Sequence, residues 1–263
     1  MIISTGSDYN EPFKEHGVVA VTRAMNLRRS YEKLSKAERV VIVGGGLVGV
    51  ELAGEISEKY GREKKIVIIH SGKFLIERNN ERAIKYADDY LRKRGVKLIF
   101  GEKVVDAKKT RNEIVCKTDK GSLLKSDMVF LCTGITPNYQ FMKKNFSSSF
   151  NKRYFIKVNN HLQLETYKNI FVIGDVNNRA EEKTAQNAER QAEAACKNIF
   201  ALESGKELVE YSSEIRPLVI SLGRYNGIFS YGKFVFGGKI PAFLKWAVER
   251  REMWKKQRFS FFQ

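Results

Sequence analysis

The sequence predicts an α/β fold built on a parallel sheet, and three segments indicate it. The β-branched run RVVIV at residues 39–43 leads directly into a glycine-rich turn that is followed by a helical pattern. A second strand, KIVIIH at residues 65–70, is largely apolar, as strands buried inside a parallel sheet are. A third, MVFLCTG at residues 128–134, again ends in glycine. Strand, helix and strand in this order predict a βαβ unit.

The rest of the chain shows the periodicity of further helices and strands. The helix after the glycine turn is expected to bury Val48, Leu52 and Ile56, which share one face. The pattern also predicts helices over 80–94 and 182–199, strands over 96–100, 154–164, 169–175, 217–222 and 228–236, an antiparallel insertion around 114–125, and a basic amphipathic helix over 239–259.

Composition excludes several classes of protein. The 263 residues are 43% hydrophobic and 29% charged, which is typical of a globular chain with room for two domains. No apolar run approaches the ~18 residues that span a bilayer. The first residues, MIISTGSDYNEPF, lack the basic and apolar regions of a secretory signal. We therefore expect a cytoplasmic protein, with peripheral attachment to a membrane as the alternative.

The chain carries an excess of positive charge. It has 47 Lys and Arg against 30 Asp and Glu, a formal net charge of +17. Such a charge favours anionic partners, whereas a bias that decorates solvated faces with lysine is the alternative. No recognition motif accompanies the charge, so we expect no specific nucleic-acid partner.

Cysteine and histidine offer little chemistry. Cys116, Cys132 and Cys196 fit neither a disulfide framework nor a CxxC pair, so we interpret them as small buried apolar residues. The three histidines are isolated from one another along the chain. The sequence therefore predicts no metal site.

The glycines at 44, 46 and 49 have the GxGxxG spacing of a dinucleotide site. A backbone without side chains can approach a diphosphate closely, and the following helix supplies N–H donors and the positive end of its dipole. The strand before the turn and the helix and strand after it make the motif more specific. The predicted site comprises Gly44, Gly45, Gly46, Leu47, Val48 and Gly49. A purely structural glycine turn is the alternative.

The end of the second strand should select the coenzyme. A carboxylate there binds the ribose 2′-hydroxyl, but this sequence has His70, followed by Ser71. With no acid at that position, and with Ser71, Lys73 and Arg78 nearby as donors, we expect NADPH to be tolerated or even preferred. In the alternative, His70 only caps the strand and NADH binds without that contact.

Glu51 lies on the first turn of the helix that follows the glycines. A carboxylate there gains from the helix dipole, so stability alone could explain it. Its spacing also suits a role in holding the carboxamide of a nicotinamide ring, and we consider Glu51 the candidate catalytic residue.

Three motifs resemble one family. VIVGGGLVGVELAGEI, FLCTGITPN and TYKNIFVIGDV occur in the order found in pyridine-nucleotide-dependent flavoprotein oxidoreductases with two dinucleotide-binding domains. Within that group the chain is most similar to the apoptosis-inducing-factor-like ferroptosis suppressor flavoproteins, which are NAD(P)H:quinone oxidoreductases. The type II NADH dehydrogenases are next.

The resemblance implies two cofactors, FAD and NAD(P)H. It places Thr133 and Gly134 on the adenosine side of the nicotinamide nucleotide. In the FAD domain it implies cofactor-binding roles for Gly174 and Asp175, and for Thr5 and Gly6. Ala185 and Gln186 would lie near the flavin ring and the quinone. A second glutamine usually follows by four residues in the type II enzymes, but this chain has Arg190 there.

The resemblance also implies that the FAD-binding part is incomplete. MIISTG resembles the strand that ends the first half of the family's FAD domain, so about one hundred residues of a full-length member are expected before it. The expected domains are a residual FAD-domain segment and linker (1–34), a Rossmann-like NAD(P)-binding domain (35–145), a second FAD-domain segment (146–209) and a C-terminal α+β interface or membrane-contact segment (210–263).

The implied activity is hydride transfer from nicotinamide to flavin and then reduction of a quinone, because the chain has no CxxC for a disulfide cycle. The alternative is a non-catalytic NAD(P)H-binding protein, or a membrane-docking fragment, that lacks flavin. Residues 239–263 carry seven basic and two acidic residues among aromatic ones, which suits a membrane interface. Packing on the protein itself or on a second copy, as a homodimer, is the alternative.

Overall fold

The computed structural model describes residues 1–9, 20–111, 113–213 and 217–260. The helices are α1 (Ala20–Lys36), α2 (Leu47–Tyr60), α3 (Glu81–Lys93), α4 (Ala185–Glu203) and α5 (Lys239–Ser260). The strands are β1 (Ile2–Ile3), β2 (Ser7–Asp8), β3 (Arg39–Val43), β4 (Lys65–His70), β5 (Lys97–Phe100), β6 (Val104–Lys109), β7 (Ile114–Thr118), β8 (Leu123–Ser126), β9 (Met128–Leu131), β10 (Thr136–Pro137), β11 (Gln163–Leu164), β12 (Tyr167–Val172), β13 (Leu218–Ser221), β14 (Gly227–Tyr231) and β15 (Phe234–Gly238).

The chain divides into two compact units. Unit 1 comprises Met1–Lys14 and Ile135–Glu214, and unit 2 comprises Glu15–Gly134 and Ile215–Gln263. The division falls after residue 134, whereas the sequence suggested a boundary near residue 145. The C-terminal segment belongs to the same unit as the glycine-rich turn.

Unit 2 is built on a parallel sheet of four strands in the order β5-β4-β3-β9. By chain order these are the third, second, first and fourth strands, which is the order of a dinucleotide-binding sheet. Val40, Ile42 and Ile68 are completely buried because helices and loops cover the sheet. The predicted mixed α/β fold with a parallel sheet is confirmed.

Helix α2 buries a different face from the one predicted. Gly49, Val50, Ala53, Gly54, Ile56 and Ser57 are buried, whereas Val48 and Leu52 are only partly buried. The prediction assumed that α2 has a single apolar stripe and that this stripe packs on the parallel sheet alone. The helix instead packs on β3 and β4 and also on β13, so small residues line its contacts.

Two antiparallel sheets complete unit 2. The sheet β6-β7-β8 contains the insertion predicted around residues 114–125. The sheet β13-β14-β15 packs against α5. The single strand predicted over 228–236 is wrong, because the chain reverses at Gly232 and Lys233 and forms the hairpin of β14 and β15.

Unit 1 contains a small mixed sheet. Strand β1 pairs in parallel with β12, which pairs with β11 on its other side. The strand predicted over 154–164 is mostly irregular, because Tyr154 and Leu162 adopt positive φ angles of 63° and 64° that interrupt an extended run. The core of this unit includes Ile156, Leu162 and Val172, all completely buried.

The two helices at the ends of the described part of unit 2 differ from expectation. Helix α1 lies where a linker was predicted. The predicted C-terminal helix exists as α5, but its apolar residues do not form one buried stripe: Phe243 is 62% exposed and Trp246 52% exposed, whereas Ala242 is buried. Among the described helices, none is both long and apolar enough to cross a membrane.

One ion pair fastens the start of β3 to the start of β9. Asp127 Oδ2 accepts hydrogen bonds from the backbone N–H groups of Arg39 (2.7 Å) and Glu38 (3.1 Å), and Oδ1 accepts one from Arg39 Nη2 (2.7 Å). The Arg39 guanidinium, together with these amides, lowers the pKa of Asp127 to about 2. The pair is partly exposed, so solvent screens much of its energy.

Replacing Asp127 by Asn should lower the free energy of unfolding at pH 7 by about 1 kcal/mol. Because the carboxyl pKa is depressed in the folded state, its stabilisation is present above the unfolded pKa of about 4 and is lost as the pH falls towards 2. Urea unfolding at pH 7, 4 and 2.5 measures this. The matched control is Asp106→Asn, which removes a longer exposed pair with Lys108. Equal pH profiles for the wild type and Asp127→Asn would contradict the assignment.

Candidate functional site

The turn between β3 and α2 depends on glycine for close packing. Gly44 has a φ of 115°, and a Cβ there would lie 2.1 Å from the carbonyl oxygen of Cys132. A Cβ on Gly49 would lie 2.0 Å from the carbonyl oxygen of Gly44. Neither position can accept a side chain, so the turn is pressed between α2 and the end of β9.

The start of α2 is open for a ligand. Gly46 is the N-cap, and no side chain in the described part of the chain caps the helix. The first-turn amides, which belong to Leu47, Val48 and Gly49, precede the first residue whose N–H is used inside the helix: Val50 donates to Gly46 O at 3.0 Å. A Cβ added to Gly46 would meet nothing within 4 Å. These donors and the helix dipole suit a diphosphate.

The side chain of His70 holds the glycine turn in place. The Gly45 N–H donates to His70 Nδ1 at 3.1 Å, so that ring nitrogen is unprotonated. Burial lowers the pKa of His70, although the nearby Glu77 carboxylate opposes the shift. The imidazole is therefore neutral at neutral pH. This geometry favours the alternative in which His70 caps the strand, and Ser71 beside it is exposed.

The end of β9 lies beside the glycine turn. Val43 of β3 is aligned with Leu131 of β9, and Cys132 N donates to Val43 O at 2.7 Å. Thr133 and Gly134 follow directly, so the fold brings them to the same edge of the sheet. Their assignment to the adenosine side remains a prediction.

The cysteines differ in exposure. Cys116 and Cys132 are buried, as expected, but Cys196 on α4 is exposed, so the prediction for that residue is wrong. Burial raises the pKa of Cys132 to about 12. The cysteine beside the glycine turn is therefore a thiol without nucleophilic character at neutral pH.

Glu51 lies on the second turn of α2 and not on the first turn as expected, because the helix already begins at Leu47. Its side chain joins α2 to the C-terminal segment. Its Oε1 accepts a hydrogen bond from Ser221 N (3.0 Å) and lies 2.5 Å from Lys245 Nζ on α5. Ser221 Oγ also donates to Glu55 Oε1, one turn further along α2, at 3.1 Å. The carboxylate thus has a structural role. Sequence reasoning missed Lys245, because 194 residues separate it from Glu51.

Unit 1 has its own cleft of about 350 Å³. It forms where the parallel strands β1 and β12 end, because their carboxyl ends meet at one edge. The lining residues are Ser4, Gly6, Ile173, Gly174, Asp175, Lys183, Thr184, Ala185 and Ala188. Four residues predicted from the resemblance, namely Gly6, Gly174, Asp175 and Ala185, are therefore brought together.

Asp175 is oriented within this cleft by a distant residue. Ser7 Oγ donates to Asp175 Oδ2 at 2.7 Å, although the two lie 168 residues apart. Sequence reasoning missed Ser7, Ser4, Lys183 and Thr184. The signal for Thr184 is its position as the N-cap of α4, where its hydroxyl accepts a hydrogen bond from Asn187 N.

Two predicted residues do not line the cleft. Thr5 Oγ1 donates to Asn138 O at 2.9 Å, and Asn138 returns a hydrogen bond to Thr5 O at 3.0 Å, so Thr5 braces the β2–β10 pair. Gln186 lies on the first turn of α4 but not among the lining residues. Gln191 is buried, and its Oε1 accepts the Gly174 N–H at 2.7 Å.

Part of the positive charge is concentrated in one cleft of unit 2. The cleft has a volume of about 520 Å³ and lies at the amino ends of β4 and β5, opposite the edge that carries the glycine turn. Seven of its ten lining residues are cationic, and none is acidic: Arg62, Lys64, Lys65, Arg92, Lys93, Arg94 and Lys97. Scattered surface lysines alone would not produce this concentration.

Comparison with known proteins agrees with this geometry. The pyridine nucleotide-disulphide oxidoreductase family matches residues 1–192. Ferroptosis suppressor protein 1 of Taeniopygia guttata is 33% identical over 244 residues, and the match covers 90% of this chain and 65% of that protein. Apoptosis-inducing factor homolog A of Dictyostelium discoideum is 31% identical over 265 residues, covering 89% of this chain and 65% of that protein. The chain thus spans less than two thirds of these relatives.

A solved structure shows the same fold. The water-forming NADH oxidase from Lactobacillus brevis, in its complex with NADH, superimposes with a TM-score of 0.65 at 21% sequence identity, covering 88% of this chain and 51% of that one. The family match and the relatives above 30% identity confirm the resemblance that the motifs indicated. The chain belongs to the pyridine nucleotide-disulphide oxidoreductase family.

Proposed function

We propose that this chain acts in an FAD-dependent NAD(P)H:quinone oxidoreductase. The observation that carries the proposal is the uncapped start of α2 inside a turn that only glycine can form. Family membership supports it, as does the similarity to ferroptosis suppressor protein 1. Because the chain spans 65% of that relative, catalysis by this chain alone is part of the proposal.

In this proposal, the chain's own groups bind the two cofactors and orient them. When bound, a nicotinamide coenzyme would supply hydride chemistry, and a flavin would supply a hydride acceptor that can pass electrons on to a quinone. The amides of Leu47, Val48 and Gly49 would hold the coenzyme diphosphate through fixed donors. Asp175, held by Ser7, would accept hydrogen bonds from flavin hydroxyls. Glu51 would accept a hydrogen bond from the nicotinamide carboxamide.

The chemistry of the cysteines favours a quinone as the electron acceptor. A disulfide reductase cycle needs a reactive thiol pair, and the sequence has no CxxC. Cys132, close to the coenzyme turn, has a pKa raised to about 12 by burial. A thiol relay at this site is therefore disfavoured, and an acceptor that takes electrons directly from flavin is favoured.

Membrane contact through α5 is a further part of the proposal. Ile240, Phe243 and Trp246 are between 52% and 65% exposed, and the Arg250 guanidinium lies 5.4 Å from the Trp246 ring centroid. Aromatic rings beside cations suit the headgroup region of an anionic membrane. Contact with the membrane would bring the protein close to a quinone dissolved in the bilayer.

Purified protein supplied with FAD, NADH and a soluble quinone should oxidise NADH only when FAD and quinone are both present. The absorbance of NADH measures turnover, and flavin retained after gel filtration measures FAD binding. The Gly49→Val variant should abolish coenzyme binding, because its side chain would collide with the Gly44 carbonyl.

Tight NADH binding with no retained flavin and no turnover would contradict the proposed oxidoreductase activity. It would support the alternative, a non-catalytic coenzyme-binding protein. That alternative is consistent with the position of the glycine turn, which lies entirely within unit 2 between β3 and α2.

Replacing Lys245 by Met should strengthen NADH binding about twofold to fivefold, since the Glu51 carboxylate no longer has to leave an ion pair to reach the carboxamide. The same change should lower the free energy of unfolding by less than about 1 kcal/mol, because both side chains are partly exposed. Calorimetry and urea unfolding measure the two effects. Lys239→Met, on the same helix, is the control. Unchanged affinity would contradict competition for Glu51.

Vesicles rich in anionic lipid should carry the protein to the top of a sucrose gradient, whereas neutral vesicles should not. The double variant Phe243→Ser/Trp246→Ser should reduce the floating fraction at least about threefold, because two interfacial rings are lost. Tyr231→Ser, which alters another exposed aromatic residue, is the control. If the double variant floats like the wild type, α5 is not the contact, and an oligomer measured by light scattering would favour the homodimer.

A further inference from the structure

A carboxylate lies at the end of β4, although the sequence places none there. Strand β4 ends at His70, the position that faces the adenosine ribose in this fold. The loop from Ser71 to Asn79 then folds back. Glu77, seven positions beyond His70, returns to the strand end.

The contacts of Glu77 define its place. Its Oε1 accepts hydrogen bonds from the backbone N–H groups of Lys73 (2.6 Å) and Phe74 (3.4 Å). A Cβ on Gly72 would lie 2.3 Å from the same oxygen, so the carboxylate rests directly on the Gly72 backbone. Gly72 is two residues beyond His70. The Glu77 charge is also close enough to raise the pKa of His70, although burial outweighs it.

The loop is fastened in this conformation. Ile76, immediately before Glu77, is 3% exposed and has a φ of 43°, which a β-branched residue rarely adopts. Ile76 N donates to Gly45 O at 2.8 Å, which ties the loop to the glycine turn. Leu75 is completely buried, and Gly101 N donates to Gly72 O at 2.9 Å. Such strain persists only where the surroundings enforce it, and here it sets the direction of Glu77.

We propose that Glu77 is the coenzyme-selecting residue: its carboxylate accepts a hydrogen bond from a ribose hydroxyl of NADH and repels the 2′-phosphate of NADPH. The inference rests on the proposed function, since it concerns the same glycine turn. It reverses the expectation from sequence that NADPH is tolerated because the strand ends without an acid.

Neither His70 nor Lys73 neutralises this carboxylate. His70 carries no positive charge at neutral pH, because burial lowers its pKa and Gly45 donates to its ring. The residues Lys73, Glu77 and Arg78 are all exposed, so water and salt screen all three charges. Glu77 differs from Lys73 because two backbone amides hold its carboxylate in place.

Isothermal calorimetry of NADH and NADPH binding to the whole chain tests the proposal. The wild type should bind NADH at least about tenfold more tightly than NADPH. In Glu77→Gln the ratio should fall to within about threefold, mainly through tighter NADPH binding, because the neutral amide no longer repels a phosphate. The amide oxygen can still accept from the loop, so the variant keeps the loop conformation.

The control is Glu193→Gln, which makes the same charge change at an exposed position on α4 and should leave the ratio unchanged. A wild type that binds NADPH as tightly as NADH would overturn the assignment of Glu77, as would an unchanged ratio in Glu77→Gln. If neither coenzyme binds the wild type, the proposed function itself fails. The two failures are therefore distinguishable.

Discussion

The close approach of three backbone segments determines the rest of the candidate site. Gly44, Gly49 and the carbonyl of Cys132 lie so near one another that a single added Cβ would stand about 2 Å from a neighbouring oxygen. This contact lets α2 follow the end of β3 after only three intervening residues, with no described side chain capping its first amides. The same contact packs the end of β9 against the glycine turn, so β9 also ends at the edge of the sheet where the turn lies. Without this packing, the amides would have no fixed direction.

Much of the parallel sheet could be predicted from sequence, because its signal is local. The run 39–43 and the segment 65–70 became β3 and β4 with those bounds. The buried face of α2 could not be predicted, because β13 approaches it from the far end of the chain. The hairpin at Gly232 was missed because apolar residues continue on both sides of the turn. For α2 a tertiary contact outweighed the local pattern, whereas at Gly232 a local turn was hidden within a continuous apolar pattern.

The candidate site shows the same limit. Motif spacing located the glycine turn and, through the resemblance, Gly174 and Asp175. It could not locate Ser7 or Lys245, which reach their carboxylates across most of the chain. Glu77 is closer in sequence, yet only the folded-back loop brings it to the end of β4. A prediction that examines only the residue at the end of the second strand overlooks a carboxylate that the following loop brings to the same place.

The cationic cleft at the amino ends of β4 and β5 has a consequence for the fold itself. Arg92 is paired with Asp88, but like charges gathered around one concave surface still repel one another, and the compact state experiences this repulsion more strongly than an extended chain does. Dissolved ions screen it over a Debye length of about 8 Å at physiological ionic strength. The stability of unit 2 therefore depends on its ionic medium as well as on its core.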